Sequence, residues 1–467
     1  MFAIKYSQIG RVPDAIVYPE TEDQVISLVQ VASSHGACLM PFGGGTNVSE
    51  ALECRHDELR MIISVDMRRM NRVLWIDTVN RMACIEAGAV GRHIMTDLEG
   101  YGYTMGHEPD SIEFSTLGGW IATNASGMKK NKYGNIEDIV LDINVVTASG
   151  ILKRSGVLPQ ESVGSDMHRL MFSSEGKLGI VTSAVVKLFP LPEVQNYGSV
   201  LFPTFEDGIA FMYDLTQALA GCARARLVDN MQFQLSMALK PATSGLAALV
   251  SRLQKAYVTG IMGFDPQKMV ACTLVFEGTS AEVGRQESKA YSIATKHGGM
   301  KAGAENGRRG YLLTYNIAYI RDFGIERYVL AESFETSVPW SRVLELCERV
   351  KARVHEEHSL RKLPGKPFLT CRITQVYDTG CAVYFYFAYF FKGVQNPSEM
   401  YAEIERAARD EILLCGGSLS HHHGVGNLRK EFLPRIMSAE ALEWDRNIKN
   451  AMDPNHVFGC GHVVEQR

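Results

Sequence analysis

The sequence predicts an α+β fold in two successive parts, a platform of short strands over residues 1–195 and a larger strand-and-helix unit over 196–415. A glycine- and histidine-rich loop with a helical segment follows over 416–467. Three observations carry this reading. Apolar runs of strand length recur through the first part, with one capped helical repeat among them. Glycine-rich segments interrupt those runs at three places. The composition then changes after Lys187-Leu188-Phe189-Pro190-Leu191-Pro192, where helical repeats alternate with long apolar strands.

Taken in order, Ile16-Val17-Tyr18-Pro19 reads as a short strand. Thr21 is placed to cap a helix, and Gln24 three residues on completes a capping box. Val25, Ile26, Val29, Val31 and Ala32 keep a helical spacing until Gly36 ends it. An apolar run over 37–42 opens into Gly43-Gly44-Gly45-Thr46-Asn47, a loop able to offer backbone N–H groups to a phosphate. It is not G-x-G-x-x-G, and no strongly periodic helix follows, which argues against a nicotinamide-binding turn. Further strands are expected over 61–65, 72–76 and 82–86, with a hairpin over 139–153 turning at Ala148-Ser149-Gly150. In the second part, 205–219 and 343–353 read as helices and 270–277 and 382–391 as strands. Alternation along the last of these puts Tyr384, Tyr386, Ala388 and Phe390 on one face. Val383, Phe385, Phe387, Tyr389 and Phe391 fall on the other.

Composition excludes several classes. The 467 residues leave room for two or three domains, with 46% hydrophobic residues for their cores. A net charge of −4 argues against a dedicated nucleic-acid binder. No apolar run reaches the ~18 residues that span a bilayer. The opening Met1-Phe2-Ala3-Ile4-Lys5 lacks the layout of a secretory signal. Ten scattered cysteines without a C-x-x-C pair fit buried thiols in an intracellular enzyme.

Two more glycine-rich segments share the first part. One runs Gly106-His107-Glu108-Pro109-Asp110, then Ser115-Thr116-Leu117-Gly118-Gly119-Trp120 and Thr123-Asn124-Ala125-Ser126-Gly127. The other is Ser173-Ser174-Glu175-Gly176-Lys177-Leu178-Gly179-Ile180-Val181-Thr182. Each alone fits a tight turn; three in this order fit close backbone approach to a large planar ligand. Near the end, Gly417-Ser418-Leu419-Ser420-His421-His422-His423-Gly424-Val425-Gly426 presents three imidazoles on flexible backbone. Alone, such a run fits a loop or a metal patch as well as an active site.

With these motifs the chain resembles the vanillyl-alcohol-oxidase-type flavoproteins, and within them the ether-lipid-forming branch. Gly106-His107-Glu108-Pro109-Asp110-Ser111, Ser126-Gly127-Met128-Lys129-Lys130-Asn131 and Tyr311-Leu312-Leu313-Thr314-Tyr315 carry the match. Glu332-Ser333-Phe334-Glu335-Thr336-Ser337 and the triple histidine complete it. The resemblance implies a two-subdomain FAD-binding domain plus an α+β cap that handles substrate. It implies FAD at Pro41, Phe42, Gly43, Gly44, Gly45, Thr46 and Asn47, and at Asp110, Ser111, Ile112, Glu113, Phe114, Ser115 and Thr116. Thr123, Asn124, Ala125 and Ser126 would add to that cradle, as would Glu175, Gly176, Lys177, Leu178, Gly179, Ile180 and Val181. Asn124 stands where arginine is expected and Lys177 where threonine is. No histidine lies in the first loop, so non-covalent FAD is expected.

The same resemblance assigns acid–base work to Tyr384, with His421, His422, His423 and His107 beside it in the chemistry, and substrate binding to Arg321 and Arg226. Arg226 could equally stabilise its domain. The implied reaction exchanges the acyl group of acyl-dihydroxyacetone phosphate for a fatty alcohol through a covalent adduct at flavin N5. The products are the alkyl ether and a fatty acid. An FAD-dependent 2-hydroxy-acid dehydrogenase is the rival; its histidine-rich metal motif is missing from 375–384, and no metal is expected. A truncated, catalytically silent homologue is the other alternative. A homodimer, a peroxisomal location without a recognisable signal, and contact with a membrane surface are further implications of the family.

Three weaker candidates complete the reading. His355-Glu356-Glu357-His358 reads as an exposed helix end, and Lys129, Lys130 and Lys132 read as a solvated turn or as contacts to a cofactor phosphate or a membrane headgroup. The stretch 244–262 reads as an amphipathic helix, either an ordinary one or one that helps admit a fatty chain from a membrane surface.

Overall fold

The computed structural model describes residues 2–6, 10–218, 221–240, 253 and 256–459. The helix expected over 244–262 and the terminal residues 461–467 fall wholly or mostly outside that set. The chain divides into two compact units: Ser7–Leu191 with His422–Arg467, and Met1–Tyr6 with Pro192–His421.

Among its described residues the first unit holds ten strands. β1 (Ala15–Val17), β2 (Cys38–Phe42) and β3 (Ile62–Asp66) form a parallel sheet in the order β1-β3-β2. The helix Glu22–His35 links β1 to β2, as parallel pairing requires. Thr21 caps it by accepting the Gln24 N–H, and Gly36 closes it at φ 65°. The reciprocal half of the expected capping box does not form, because the Gln24 side chain accepts from the Glu20 N–H instead. β4 (Val73–Asp77), β5 (Met82–Glu86), β7 (Val140–Thr147), β8 (Gly150–Leu152) and β9 (Ile180–Lys187) form an antiparallel sheet, ordered β4-β5-β9-β7-β8. β6 (Tyr103–Thr104) pairs with β10 (Phe189–Pro190).

The end of the chain completes this unit. Phe458 bridges to Leu39 and joins the core of Val25, Val29 and Val65. Lys449, on the helix Ala439–Met452, is buried on the Asp453 carboxylate and donates to the carbonyls of Lys177 (2.6 Å) and Phe458 (3.0 Å).

The second unit is one antiparallel seven-stranded sheet. Its strands are β11 (Val194–Phe202), β12 (Arg224–Val228), β13 (Val270–Gly278), β14 (Met300–Lys301), β15 (Val329–Pro339), β16 (Phe368–Tyr377) and β17 (Gly380–Phe390). They lie in the order β14-β11-β13-β12-β16-β17-β15. Helices Phe205–Gln217, Ser280–Lys296, Val343–Leu360 and Pro397–Leu414 bury one face, packing Phe211, Ala290, Val350 and Ile404 against Val383, Phe385, Phe387 and Tyr389. The alternation read along β17 is therefore the one observed. The helix Ala304–Ile325 crosses the opposite face. It approaches so closely that a side chain at Gly307 would overlap the backbone of Gly198, and one at Gly310 would press on Thr273.

Two expectations are corrected here. The helix Val343–Leu360 runs well beyond residue 353, and the His355–His358 stretch is only half exposed, with His355 and Glu356 in solvent. Glu357 and His358 are buried, with Glu357 held by Arg353 and Arg361 and His358 edge-on to Tyr389. Salt bridging satisfies a charge that sequence alone assigns to solvent. Likewise Lys129 is no solvated residue: it is buried and ion-paired to Glu108 at 2.9 Å. The nine described cysteines are all buried thiols.

Candidate active site

In the first unit, three glycine segments far apart in sequence meet. Pro41 and Phe42 end β2, and Gly45 turns the chain at φ 64°. A side chain at Gly43 would overlap Thr116 Oγ1, and one at Gly44 would overlap the Phe114 carbonyl. Glycine is required at 44 because its loop touches the backbone of 114–115, and at 43 because the Thr116 side chain fills the space. Thr116 in turn caps the helix Leu117–Thr123, and Asn124 closes that helix in the left-handed region at φ 51°. Asparagine tolerates that conformation better than most residues, so Asn124 has a local reason to differ from the expected arginine. Ser115 Oγ accepts the Trp120 indole N–H at 2.8 Å, and the Ser126 hydroxyl donates to Asn135 at 2.7 Å. Ile112 and Ala125 are buried, Phe114 is exposed, and Glu113 pairs with Arg92.

Glu175 is the junction. It sits at φ 49°, and its N–H donates to the Ala122 carbonyl. Its carboxylate accepts the Ser49 hydroxyl at 2.9 Å and the Gly426 N–H at 2.8 Å, with Val425 N–H at 3.3 Å. It thereby ties the end of the histidine loop to the glycine platform. Lys177 turns its ammonium to Asp445 at 3.0 Å, and its carbonyl serves Lys449, so its side chain is committed to the C-terminal helix. Leu178, Ile180 and Val181 are buried as β9 begins.

His107 is 0% exposed and lies edge-on to Trp120 at 4.7 Å. Burial, with the nearby His422 charge adding to it, pushes its pKa down to about 3, so the ring is neutral at neutral pH. Among the described residues neither ring nitrogen has a hydrogen-bond partner, nor has the buried Oδ1 of Asn124. Buried polar atoms are seldom left so. Three orphaned positions among glycine loops fit a large polar ligand with both donors and acceptors, which FAD is. The rings of His422 and His423 lie 4.7 Å apart.

In the second unit the register gathers a polar row. Arg372 on β16 and Glu335 on β15 both stand directly opposite Tyr384 on β17. The Arg372 guanidinium lies over the rings of Tyr384 (4.7 Å) and Tyr386 (4.4 Å). Glu335 is fully buried and accepts the Ser420 hydroxyl at 2.7 Å and the His421 N–H at 2.6 Å. His421 Nε2 hydrogen-bonds the Tyr377 hydroxyl at 2.6 Å. Arg409 sits behind them, paired with Glu405 and donating to the carbonyls of Glu335 and Leu419. Strand β15 thus fixes the start of the histidine loop, helped by Thr336 donating to the Ser418 carbonyl at 2.7 Å.

Of the two substrate arginines, Arg226 is buried on β12 opposite Thr273, on the face crossed by Ala304–Ile325. Arg321 pairs with Glu332 at 2.9 Å, where β15 begins. Arg372, Tyr377 and Arg409 were missed in the sequence, and Glu335 was seen only as part of a motif. A period-two reading of 368–377 aligned on Tyr384 was the signal available for Arg372.

Comparison with known proteins decides the family. Residues 13–156 match the FAD binding domain family, and residues 191–463 match the C-terminal domain of FAD linked oxidases. The chain is 44% identical over 466 residues to the alkyldihydroxyacetonephosphate synthase of Caenorhabditis elegans, covering 100% of this chain and 78% of that one. It is 32% identical to the enzyme of that name from Trypanosoma brucei brucei, covering 99% and 75%. A solved alkyldihydroxyacetonephosphate synthase structure superposes with a TM-score of 0.81 at 30% identity, covering 98% of this chain and 77% of the other.

The chain belongs to the alkyldihydroxyacetonephosphate synthase family. Like other alkyldihydroxyacetonephosphate synthases it is an FAD-dependent enzyme, and its fold is the flavoprotein fold expected from the glycine segments.

Proposed function

We propose that the chain replaces the acyl group of acyl-dihydroxyacetone phosphate with a long-chain fatty alcohol, giving alkyl-dihydroxyacetone phosphate and a fatty acid. The observation that carries this reading is the likeness, over the whole of this chain, to alkyldihydroxyacetonephosphate synthases, with Tyr384 buried on the sheet face away from the apolar core. The exchange balances: the ester's carboxylate leaves the reacting carbon, the alcohol oxygen bonds to it, and the alcohol proton leaves with the acid. When bound, FAD supplies ring chemistry that is nucleophilic and electron-accepting in turn, without net redox.

Tyr384 takes a proton from the reacting carbon and returns it, a task suited to a phenol whose ordinary pKa near 10 is adjusted by neighbours. His421 enters with its Nε2 fixed on Tyr377, while His422 and His423 polarise the reacting oxygens. His107, neutral and buried, offers one donor and one acceptor to the bound cofactor. Arg226 and Arg321 hold the phosphate end, since a guanidinium makes paired bonds to phosphate oxygens; Arg321 does so by exchanging Glu332 for it. Residues 41–47, 110–116, 123–126 and 175–181 hold FAD without a covalent link. Lipid substrates support a membrane-surface encounter, and the family supports a homodimer and a peroxisomal setting. Among the described residues no helix is long and apolar enough to cross a membrane.

The test is chain exchange by FAD-loaded protein given palmitoyl-dihydroxyacetone phosphate and hexadecanol. Ether product and palmitate should appear in equal amounts. No ether, with flavin bleached by a 2-hydroxy acid, would overturn the reading in favour of a dehydrogenase.

A further inference from the structure

We propose that Arg372 is the positioning residue whose cationic guanidinium keeps Tyr384 available as a phenolate, an inference that rests on the acid–base role given to Tyr384 above. Tyr384 is only 7% exposed. Burial alone would disfavour its charged form and hold it as a phenol, useless as a base at neutral pH. Arg372 offsets that. It is 1% exposed, directly opposite Tyr384 in register, and its guanidinium lies 4.7 Å from the Tyr384 ring and 4.4 Å from that of Tyr386. The two rings are stacked 6.4 Å apart, so the flat cation spans both. Lysine is a point charge on a flexible stem and cannot cover two ring faces at once.

The other groups on this face decide whether the arginine prevails. From β15 comes Glu335, whose carboxylate would oppose a phenolate. Its charge is met by the Ser420 hydroxyl and the His421 N–H, short bonds of 2.7 and 2.6 Å. On β17 itself the neighbour is Tyr386, and on β16 Thr370 lies opposite it. From β12 come Arg224 and Arg226, and from the helix Ala304–Ile325 come Tyr311, Tyr315 and Arg321. Arg224 stacks on Tyr311 at 4.9 Å, and Arg321 is met by Glu332. The face also carries Glu277 on β13, which accepts the Gln195 amide, and Tyr377 on β16, whose hydroxyl is bonded to His421 Nε2; Arg372 is set over the Tyr384 ring. An opposite charge within ~4–6 Å moves a titrating group by about 1–3 pH units.

The experiment is the pH–rate profile of FAD-loaded wild type, Arg372→Met, Arg372→Lys and Tyr384→Phe, in the ether-forming assay. If Tyr384 works as phenolate, the rate rises with pH through its titration. Arg372→Met should move that rise up by about 1–2 units, a loss of roughly 10–100-fold at neutral pH regained in alkali. Arg372→Lys should fall between, and Tyr386→Phe should leave the rise where it is. A residue with only a scaffolding role would lower the rate equally at every pH, and an unmoved rise in Arg372→Met overturns the inference. If that variant fails to fold, the ultraviolet titration of wild type minus Tyr384→Phe still decides: the difference phenol must ionise below the ordinary value of about 10, and ionisation above it overturns the inference. A fully active Tyr384→Phe would instead overturn the acid–base reading on which the inference rests.

Discussion

The Glu175 carboxylate accepts the Gly426 N–H at 2.8 Å, across 251 residues of sequence. The same carboxylate holds the Ser49 hydroxyl and the Val425 N–H. A side chain at Gly424 would overlap it. One acidic residue in a left-handed conformation therefore anchors the chain just after His422 and His423. Glu175→Ala leaves those donors without their acceptor, which costs about 1–3 kcal/mol. The thermal midpoint of FAD-loaded protein should fall by several degrees, and Glu175→Gln, which keeps an acceptor oxygen, should fall less. Equal midpoints in wild type and Glu175→Ala would show that the anchor contributes nothing.

Gly44 meets the Phe114 carbonyl backbone to backbone. Gly44→Ala must push the first glycine loop away from residues 114–116, and so distort the proposed FAD cradle. FAD should be retained at least ~10-fold less tightly, a change of about 1.4 kcal/mol. The flavin-to-protein absorbance ratio after gel filtration reads this directly; a ratio equal to wild type would remove Gly44 from the cradle.

His107 gives a pH dependence of defined sign. Its folded pKa of about 3 lies below the ordinary 6.5, because burial opposes the charge. Between those values the unfolded chain binds a proton that the native one refuses, so this stability is complete above pH 6.5 and is lost as pH falls toward 3. His107→Phe removes the effect. In FAD-free protein, the fall in thermal midpoint from pH 7.5 to 5.5 should be smaller in the variant than in wild type. Equal falls would show that the native site accepts the proton.

Local signals were well written in the sequence. The Thr21 cap, the Gly36 stop and the two faces of β17 are set by neighbours a few residues away, and all are observed. What depends on long-range pairing was not legible. Lys129 carries a charge that reads as solvent-exposed, and Glu108, brought to it by the fold, pairs with it in the interior. Arg372 reaches Tyr384 through strand register, a relation between chain positions twelve apart whose pairing sequence alternation alone does not settle. Glu175 sits within a glycine motif, which conceals that its carboxylate serves backbone donors some 250 residues on.

The central claim is that ether formation passes a proton through Tyr384. The most direct test is the single-turnover rate of ether formation by Tyr384→Phe with saturating FAD, palmitoyl-dihydroxyacetone phosphate and hexadecanol. Loss of the proton carrier should cost about 10²–10⁴-fold, with flavin content and thermal midpoint close to those of wild type. Ether formed by the folded, FAD-loaded variant at the wild-type rate would contradict the account.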